Sequence, residues 1–120
     1  MSSSDCIFCQ IANKEAEAEV VYEDNEVMAF KDINPVTPVH LLIIPKKHIP
    51  THYELKEEDI YLISKIHLII NDLARAFEVN EDGYRVMVNC GQHAGQIVYH
   101  LHFHLLAGRP LDSMASSQGA

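Results

Sequence analysis

Val98-Tyr99-His100-Leu101-His102-Phe103-His104-Leu105-Leu106 alternates with a period of two. That is the signature of a strand whose side chains point to opposite faces in turn. The pattern reaches back to Ile97, so residues 97–106 are predicted as one strand. Ile97, Tyr99, Leu101, Phe103 and Leu105 then face the core. His100, His102 and His104 project together from the other face, about 7 Å apart along the strand. The plain alternative is a half-buried strand whose polar face happens to be histidine. One ion bound by all three rings is disfavoured, because metal bonds of about 2.0–2.1 Å do not span that spacing. Chemistry fits better. Near pH 7 imidazole is a nucleophile when neutral and an acid when protonated, so one ring can attack phosphorus while a neighbour serves the leaving group.

The residues just upstream supply what such chemistry needs. Asn89-Cys90-Gly91-Gln92-His93-Ala94-Gly95-Gln96 leads into the strand. Gly95 lets backbone N–H groups approach a phosphate, and the Gln96 amide can hydrogen-bond its oxygens. Further out, residues 57–78 read as a long amphipathic helix. Ile63, Ile66, Ile70, Leu73 and Phe77 step by three and four, and Leu62 and Ile69 widen the stripe. Glu57, Glu58 and Asp59 suit its first turn, and residues 80–83 end it. Residues 84–89 form the strand between. Residues 40–44 are an apolar strand stopped by Pro45, and Asn34-Pro35 and Thr37-Pro38 mark the loop before it. Residues 20–22 and 27–30 form a hairpin around Asp24-Asn25. Residues 6–14 form a short helix with Ser4 or Asp5 as N-cap and Ile7, Phe8 and Ile11 on one face. Thr51 and Glu54 have the spacing of a capped single turn. Short links favour antiparallel pairing, so the class is α+β.

Composition bounds the function. The chain has 120 residues, enough for one core, with 48% apolar residues. It is read as a single domain over residues 1–110 with a mobile tail over 111–120. Nine Lys and Arg against 17 Asp and Glu give a net charge of −8. That argues against nucleic acid or an anionic membrane as partner. There is no apolar run long enough to span a bilayer and no visible signal peptide, and three Cys do not suggest a disulfide scaffold. A reducing compartment, the cytoplasm (and the nucleus if the source is eukaryotic), is expected. Eight His is the unusual count. His52, His67 and His93 are read as ordinary surface or interface residues.

Cys6-Ile7-Phe8-Cys9 places two thiols within reach of one ion, and with no second Cys pair the remaining ligands would be His. Packed, unligated thiols and a redox pair are the alternatives. Cys90 reads as a packed thiol. Asp32 either accepts two hydroxyl donors of a ligand or caps the turn at Asn34-Pro35. The apolar side chains around it suit a purine face or plain packing. The width of the long helix's stripe suggests a homodimer.

The run His100-Leu101-His102-Phe103-His104-Leu105-Leu106 resembles the motif of the histidine-triad family, and with Ile7-Phe8, residues 30–33, 40–48 and 89–96 it is similar to the Hint branch over residues 5–110. The ending Ala107-Gly108-Arg109 and the Asn89 to Gln96 loop favour that branch over the dinucleoside polyphosphate hydrolases. The resemblance implies a five-stranded antiparallel sheet with one long and one short helix, joined across a homodimer into ten strands. It implies a purine nucleotide ligand and a phosphoramidase that frees a nucleoside monophosphate from an amine. His102 would be the nucleophile and form a nucleotidyl-histidine. His104 would contact phosphate and leaving group, with His40 and His100 in support. Asp32 would hold the ribose. Ile7, Phe8, Ile11, Phe30, Ile33 and Leu42 would line the base and sugar pocket, and Asn89, Gly95, Gln96 and the backbone at Ile97 would bind phosphate. Some relatives carry zinc at positions that here are Cys6, Cys9, His48 and His100. Two departures stand out: Ile97 replaces a common hydroxyl residue, and the chain has no Trp. The alternatives are a dinucleoside polyphosphate hydrolase and a nucleotide-binding module without catalysis.

Overall fold

Five antiparallel strands and two α-helices account for the architecture in a computed structural model that describes residues 5–112. The elements are α1 (Ile7–Ala12), β1 (Val20–Glu23), β2 (Val27–Lys31), β3 (Val39–Pro45), α2 (Ile60–Ala76), β4 (Tyr84–Met87) and β5 (Phe103–Ala107). The sheet order is β1-β2-β3-β5-β4, so the last strand inserts between β3 and β4. Period-two patterning divides each inner strand between two layers. Val27, Ala29, Leu41, Ile43, Phe103 and Leu105 face α2, where Leu62, Ile66, Ile70 and Leu73 cover them. Met28, Phe30, Leu42 and Ile44 face α1, which contributes Phe8, Cys9 and Ile11. Each face of the sheet therefore has its own helix.

The β1–β2 turn is locked by Asp24, whose Oδ1 accepts the amides of Glu26 and Val27 at 2.8 and 2.9 Å. Its other oxygen accepts the Tyr22 hydroxyl and pairs with Lys65 of α2, joining the hairpin to the long helix. Burial works to raise the Asp24 carboxyl; the Tyr22 hydroxyl, the two amides and Lys65 outweigh it and hold the carboxyl well below the usual range.

Several expected boundaries move. The short helix begins at Ile7, and its N-cap is Cys6, whose Sγ accepts the Cys9 amide at 3.3 Å. Ser4 lies outside the described residues. Residues 57–59 form a 3-10 turn before α2 begins. Both α-helices end earlier than the apolar periodicity suggests, in paired bonds across the last turn. Glu15 N–H donates to Gln10 C=O and Lys14 N–H to Ile11 C=O; Val79 donates to Ala74 and Glu78 to Arg75. Lys14 and Glu78 occupy the left-handed position glycine usually takes there, at φ 66° and 59°.

The largest correction concerns the predicted strand over 97–106. Only residues 103–107 are paired. In the β3–β5 register Ile43 opposes Phe103, so two residues further along, Leu101 would stand against Pro45, which has no N–H to offer. Leu101 N–H instead donates to Ile49 C=O at 2.7 Å. Ahead of that point the chain is irregular, and Ile97 and Tyr99 are exposed, not core. The three histidines are not a solvated face either: His100, His102 and His104 are 0–2% exposed beneath α1. Of the tail read over 111–120, residues 113–120 lie outside the described residues. No helix among the described residues is long and apolar enough to cross a membrane.

Candidate active site and metal centre

Three neighbouring histidines are chemically distinct because different backbone groups hold them. His102 Nδ1 lies 2.7 Å from the His100 carbonyl. A carbonyl only accepts, so Nδ1 carries the proton and the lone pair is on Nε2. His40 is fixed the other way. The Val36 amide donates to its Nδ1 at 3.1 Å, which leaves the proton on Nε2. That proton faces His104 Nδ1 at 3.0 Å and an Asp32 carboxylate oxygen at 3.3 Å. His104 must accept on Nδ1, so its own proton is on Nε2. His102 and His104 thus sit with ring centroids 5.0 Å apart in opposite tautomers: one with a bare Nε2, one with an Nε2–H. Burial pushes the His40 pKa down, partly offset by the Asp32 charge and reinforced by His102, so the ring stays neutral.

His100 is the third case. Its Nε2–H donates to the Pro45 carbonyl at 2.7 Å, leaving the Nδ1 lone pair facing Cys6 Sγ at 3.3 Å and Cys9 Sγ at 3.5 Å. His48 Nδ1 is 3.2 Å from Cys9 Sγ, and the four donor atoms all lie within 4.8 Å of one another. A tetrahedral zinc with usual bond lengths sets sulfur and nitrogen ligands about 3.6 Å apart. The donor set fits such an ion after small expansion, and the Pro45 carbonyl is the outer partner that ligating histidines ordinarily have. Burial pushes the His100 pKa down to about 4, against the Pro45 bond, so the ring is neutral. Burial also pushes the Cys9 thiol up to about 11, with help from Cys6, so ionising the Cys9 sulfur calls for a cation. Asp32, His40 and His104 cluster as closely. There the Val36 amide occupies His40 Nδ1 and keeps a proton on Nε2, so the trio is wired for a proton.

The remaining candidates divide. Phe8, Ile11, Phe30 and Leu42 share one apolar cluster on the triad's side of the sheet, with Phe8 edge-on to His102 at 5.0 Å. Ile7 is 44% exposed. Ile33 is 90% exposed, because Asp32 Oδ1 accepts the Asn34 amide and the resulting turn sends it outward. Asp32 therefore caps its turn as one alternative held, and also reaches His40. Gly95 is left-handed at φ 86°, closing the 3-10 turn over residues 92–94, and Ile97 and Asn89 flank that loop. Gln96 is buried and differs from its expected role. Its Nε2 donates to the Pro50 and Val98 carbonyls and its Oε1 accepts the Gly91 amide, so both donor hydrogens brace the loop from inside. Cys90 is exposed, not packed. His52, His67 and His93 are at the surface, His67 against the Phe103 ring. The sequence reading missed the Val36 amide, the Pro45 carbonyl and the Asp32–His40 contact. Backbone groups carry no residue signature, so only the pairing register reveals them.

Residues 5–118 match the family described as scavenger mRNA decapping enzyme C-term binding. The chain is 39% identical, over 98% of both chains, to the purine nucleoside phosphoramidase of Escherichia coli K12. A histidine triad protein from Clostridium difficile superposes with a TM-score of 0.91 at 45% identity, covering 95% of this chain and 99% of that one. A zinc-bound histidine triad family protein from Mycobacterium smegmatis superposes at 0.79 with 31% identity, covering 96% and 83%.

Proposed function

The chain belongs to the histidine-triad family, and from that membership we propose that it is a purine nucleoside phosphoramidase, a hydrolase of P–N bonds that works through a nucleotidyl-histidine. The observation carrying the reading is the pair of opposite tautomers at His102 and His104. His102 Nε2 attacks phosphorus while the P–N bond breaks. His104 donates a hydrogen bond from Nε2–H to the departing nitrogen, with His40 and Asp32 behind it, and solvent supplies the proton with which the amine leaves. Water then attacks phosphorus as the P–His102 bond breaks, which releases the nucleoside monophosphate and a proton to solvent and returns the lone pair to His102 Nε2. Splitting one displacement into two in-line steps needs both groups beside the same phosphorus, which their 5.0 Å separation allows.

Phe8, Ile11, Phe30 and Leu42 would take the purine and sugar, with the exposed Ile7 and Ile33 as its outer wall. Asp32 would accept the ribose hydroxyls. Asn89 and the backbone at Gly95 and Ile97 would hold phosphate, the loop kept in shape by Gln96. Zinc held by Cys6, Cys9, His48 and His100 would supply a fixed structural joint. Through it α1, the segment after β3 and the approach to β5 would be tied together, and the His100 carbonyl held against His102. Free thiols at all three described cysteines accord with the cytoplasm.

The test is turnover of adenosine and guanosine phosphoramidates beside diadenosine polyphosphate, by wild type and His102→Ala. Wild type should prefer the phosphoramidates and yield a trapped protein-bound nucleotide at His102. His102→Ala should lose at least about a thousandfold in kcat while still binding nucleoside monophosphate. Preferential cleavage of the polyphosphate, or wild-type turnover by the variant, would reject the assignment.

A further inference from the structure

We propose that the corner after β5, Gly108-Arg109, together with the Val36 backbone amide, positions the catalytic proton. These groups set the tautomer of His40 and through it that of His104. The inference rests on the reading of His102 as nucleophile and His104 as hydrogen-bond donor to the leaving nitrogen.

Nothing in an imidazole favours one nitrogen strongly, so a proton's location must be imposed by neighbours. For His102 the imposing group is a carbonyl two residues away on its own chain. For His104 the Nδ1 partner is another histidine, which alone could present either a donor or an acceptor. The ambiguity ends one step further out, at Val36, whose N–H can only donate. The order of protons then runs Val36 N–H to His40 Nδ1, and His40 Nε2–H to His104 Nδ1. Asp32, which only accepts, sits on the same side of His40 as His104 and favours the same order.

Val36 lies in the loop before β3, so something must hold its amide in place. Arg109 does so from the far end of the chain: its guanidinium donates to the Val36 carbonyl at 3.0 Å and to Pro110 C=O at 2.9 Å. Gly108 lets the corner approach. It sits at φ 101°, and a Cβ there would lie 2.8 Å from Pro38 Cβ. Only a residue without a side chain brings Arg109 over the 36–38 loop without displacing it. The side chain of Val36 plays no part; its peptide group is held at the carbonyl by Arg109 and used at the amide by His40.

The test reads protons directly, in the zinc-loaded full chain with 15N-labelled histidine, without substrate. Two-bond proton–nitrogen correlation should show His102 protonated on Nδ1 and His40 and His104 on Nε2. Replacing Val36 by its α-hydroxy acid turns the N–H into an ester oxygen. Arg109→Gln loosens the same loop if the ester does not fold. Each should give His40 and His104 mixed tautomers. Each should also lower kcat about fivefold to tenfold, with KM changed less than twofold, and Arg109→Lys should recover part of the loss. A wild-type His104 protonated on Nδ1, or tautomers and kcat unchanged in every variant that folds, overturns the proposal. If the tautomers shift as expected but no phosphoramidate is cleaved by wild type, the functional reading fails and the positioning stands.

Discussion

Each triad histidine is defined less by its own chemistry than by the backbone group opposite one of its nitrogens: Pro45 C=O for His100, His100 C=O for His102, and Val36 N–H, by way of His40, for His104. The residues themselves were legible as a motif, and so was the pairing of Cys6 and Cys9 with a possible ion. Their states were not, because a peptide group looks the same in any sequence. His40 gives this a measurable form. It is 3% exposed and faces Asp32, His104 and His102. Burial lowers its pKa below the ordinary 6.5, while the Asp32 carboxylate opposes that shift. Its NMR titration midpoint should therefore fall below 6.5. Removing the opposing charge with Asp32→Asn should move the midpoint lower still, since a carboxylate stabilises the imidazolium. A midpoint above 6.5 in wild type would show that burial does not dominate, and one that rises in Asp32→Asn would show that the carboxylate does not stabilise the imidazolium.

At the scale of elements, apolar patterning and turn signals identified both α-helices and all five strands of the described residues, and the errors fell at ends. Two have one cause. The stop signal expected after a helix is glycine in the left-handed position, and here Lys14 and Glu78 fill it. The chain tolerates them because the paired bonds across the last turn, at 2.7–3.1 Å, outweigh the crowding of a Cβ at positive φ. The third error, the overlong last strand, came from reading alternation without its partner: Pro45 stops β3 and thereby withdraws the ladder from Leu101. The glycine argument can be checked at Glu78, which is exposed. Glu78→Gly relieves the left-handed strain at a smaller entropic cost in the unfolded chain. It should stabilise the protein by about 0.5–1 kcal/mol and raise Tm by about 2–6 °C, read by denaturant and thermal unfolding. A destabilised variant would mean that the glutamate side chain contributes something its exposure does not suggest.

On the scale of the whole molecule, α+β class and five antiparallel strands followed from the order of patterns, but what closes the structure did not. Leu62 and Ile69, read as surplus apolar width, are covered by the chain's own sheet. The sheet ends at β1 and β4, and near the β4 edge stands Leu68 at 66% exposed, one turn from Asn71, which the Tyr84 hydroxyl holds. An unpaired strand edge next to an exposed leucine suits a twofold contact with a second copy. Light scattering should give a dimer at micromolar concentration and a smaller mass for Leu68→Arg; a monomeric wild type would refute it. The other closure is internal. Cys6 and Cys9 belong to α1, His48 follows β3 and His100 precedes β5, so one ion would bind three segments distant in sequence. Without a cation the cluster holds two buried thiols against two imidazoles, with Cys9 far from ionising and His100 neutral. With one, four donors are satisfied at once, and the binding free energy adds to folding. Protein purified without added zinc or a His tag should carry about one zinc per chain. A chelator should lower Tm by on the order of 10 °C. The double variant Cys6→Ser with Cys9→Ser should start at the lowered Tm and ignore the chelator. Turnover should fall less than in His102→Ala, since the ion would hold the His100 carbonyl in place and touch no reacting atom. No metal on elemental analysis, together with a Tm that neither chelator nor added zinc moves, would leave the two cysteines as packed thiols and His100 held by Pro45 alone.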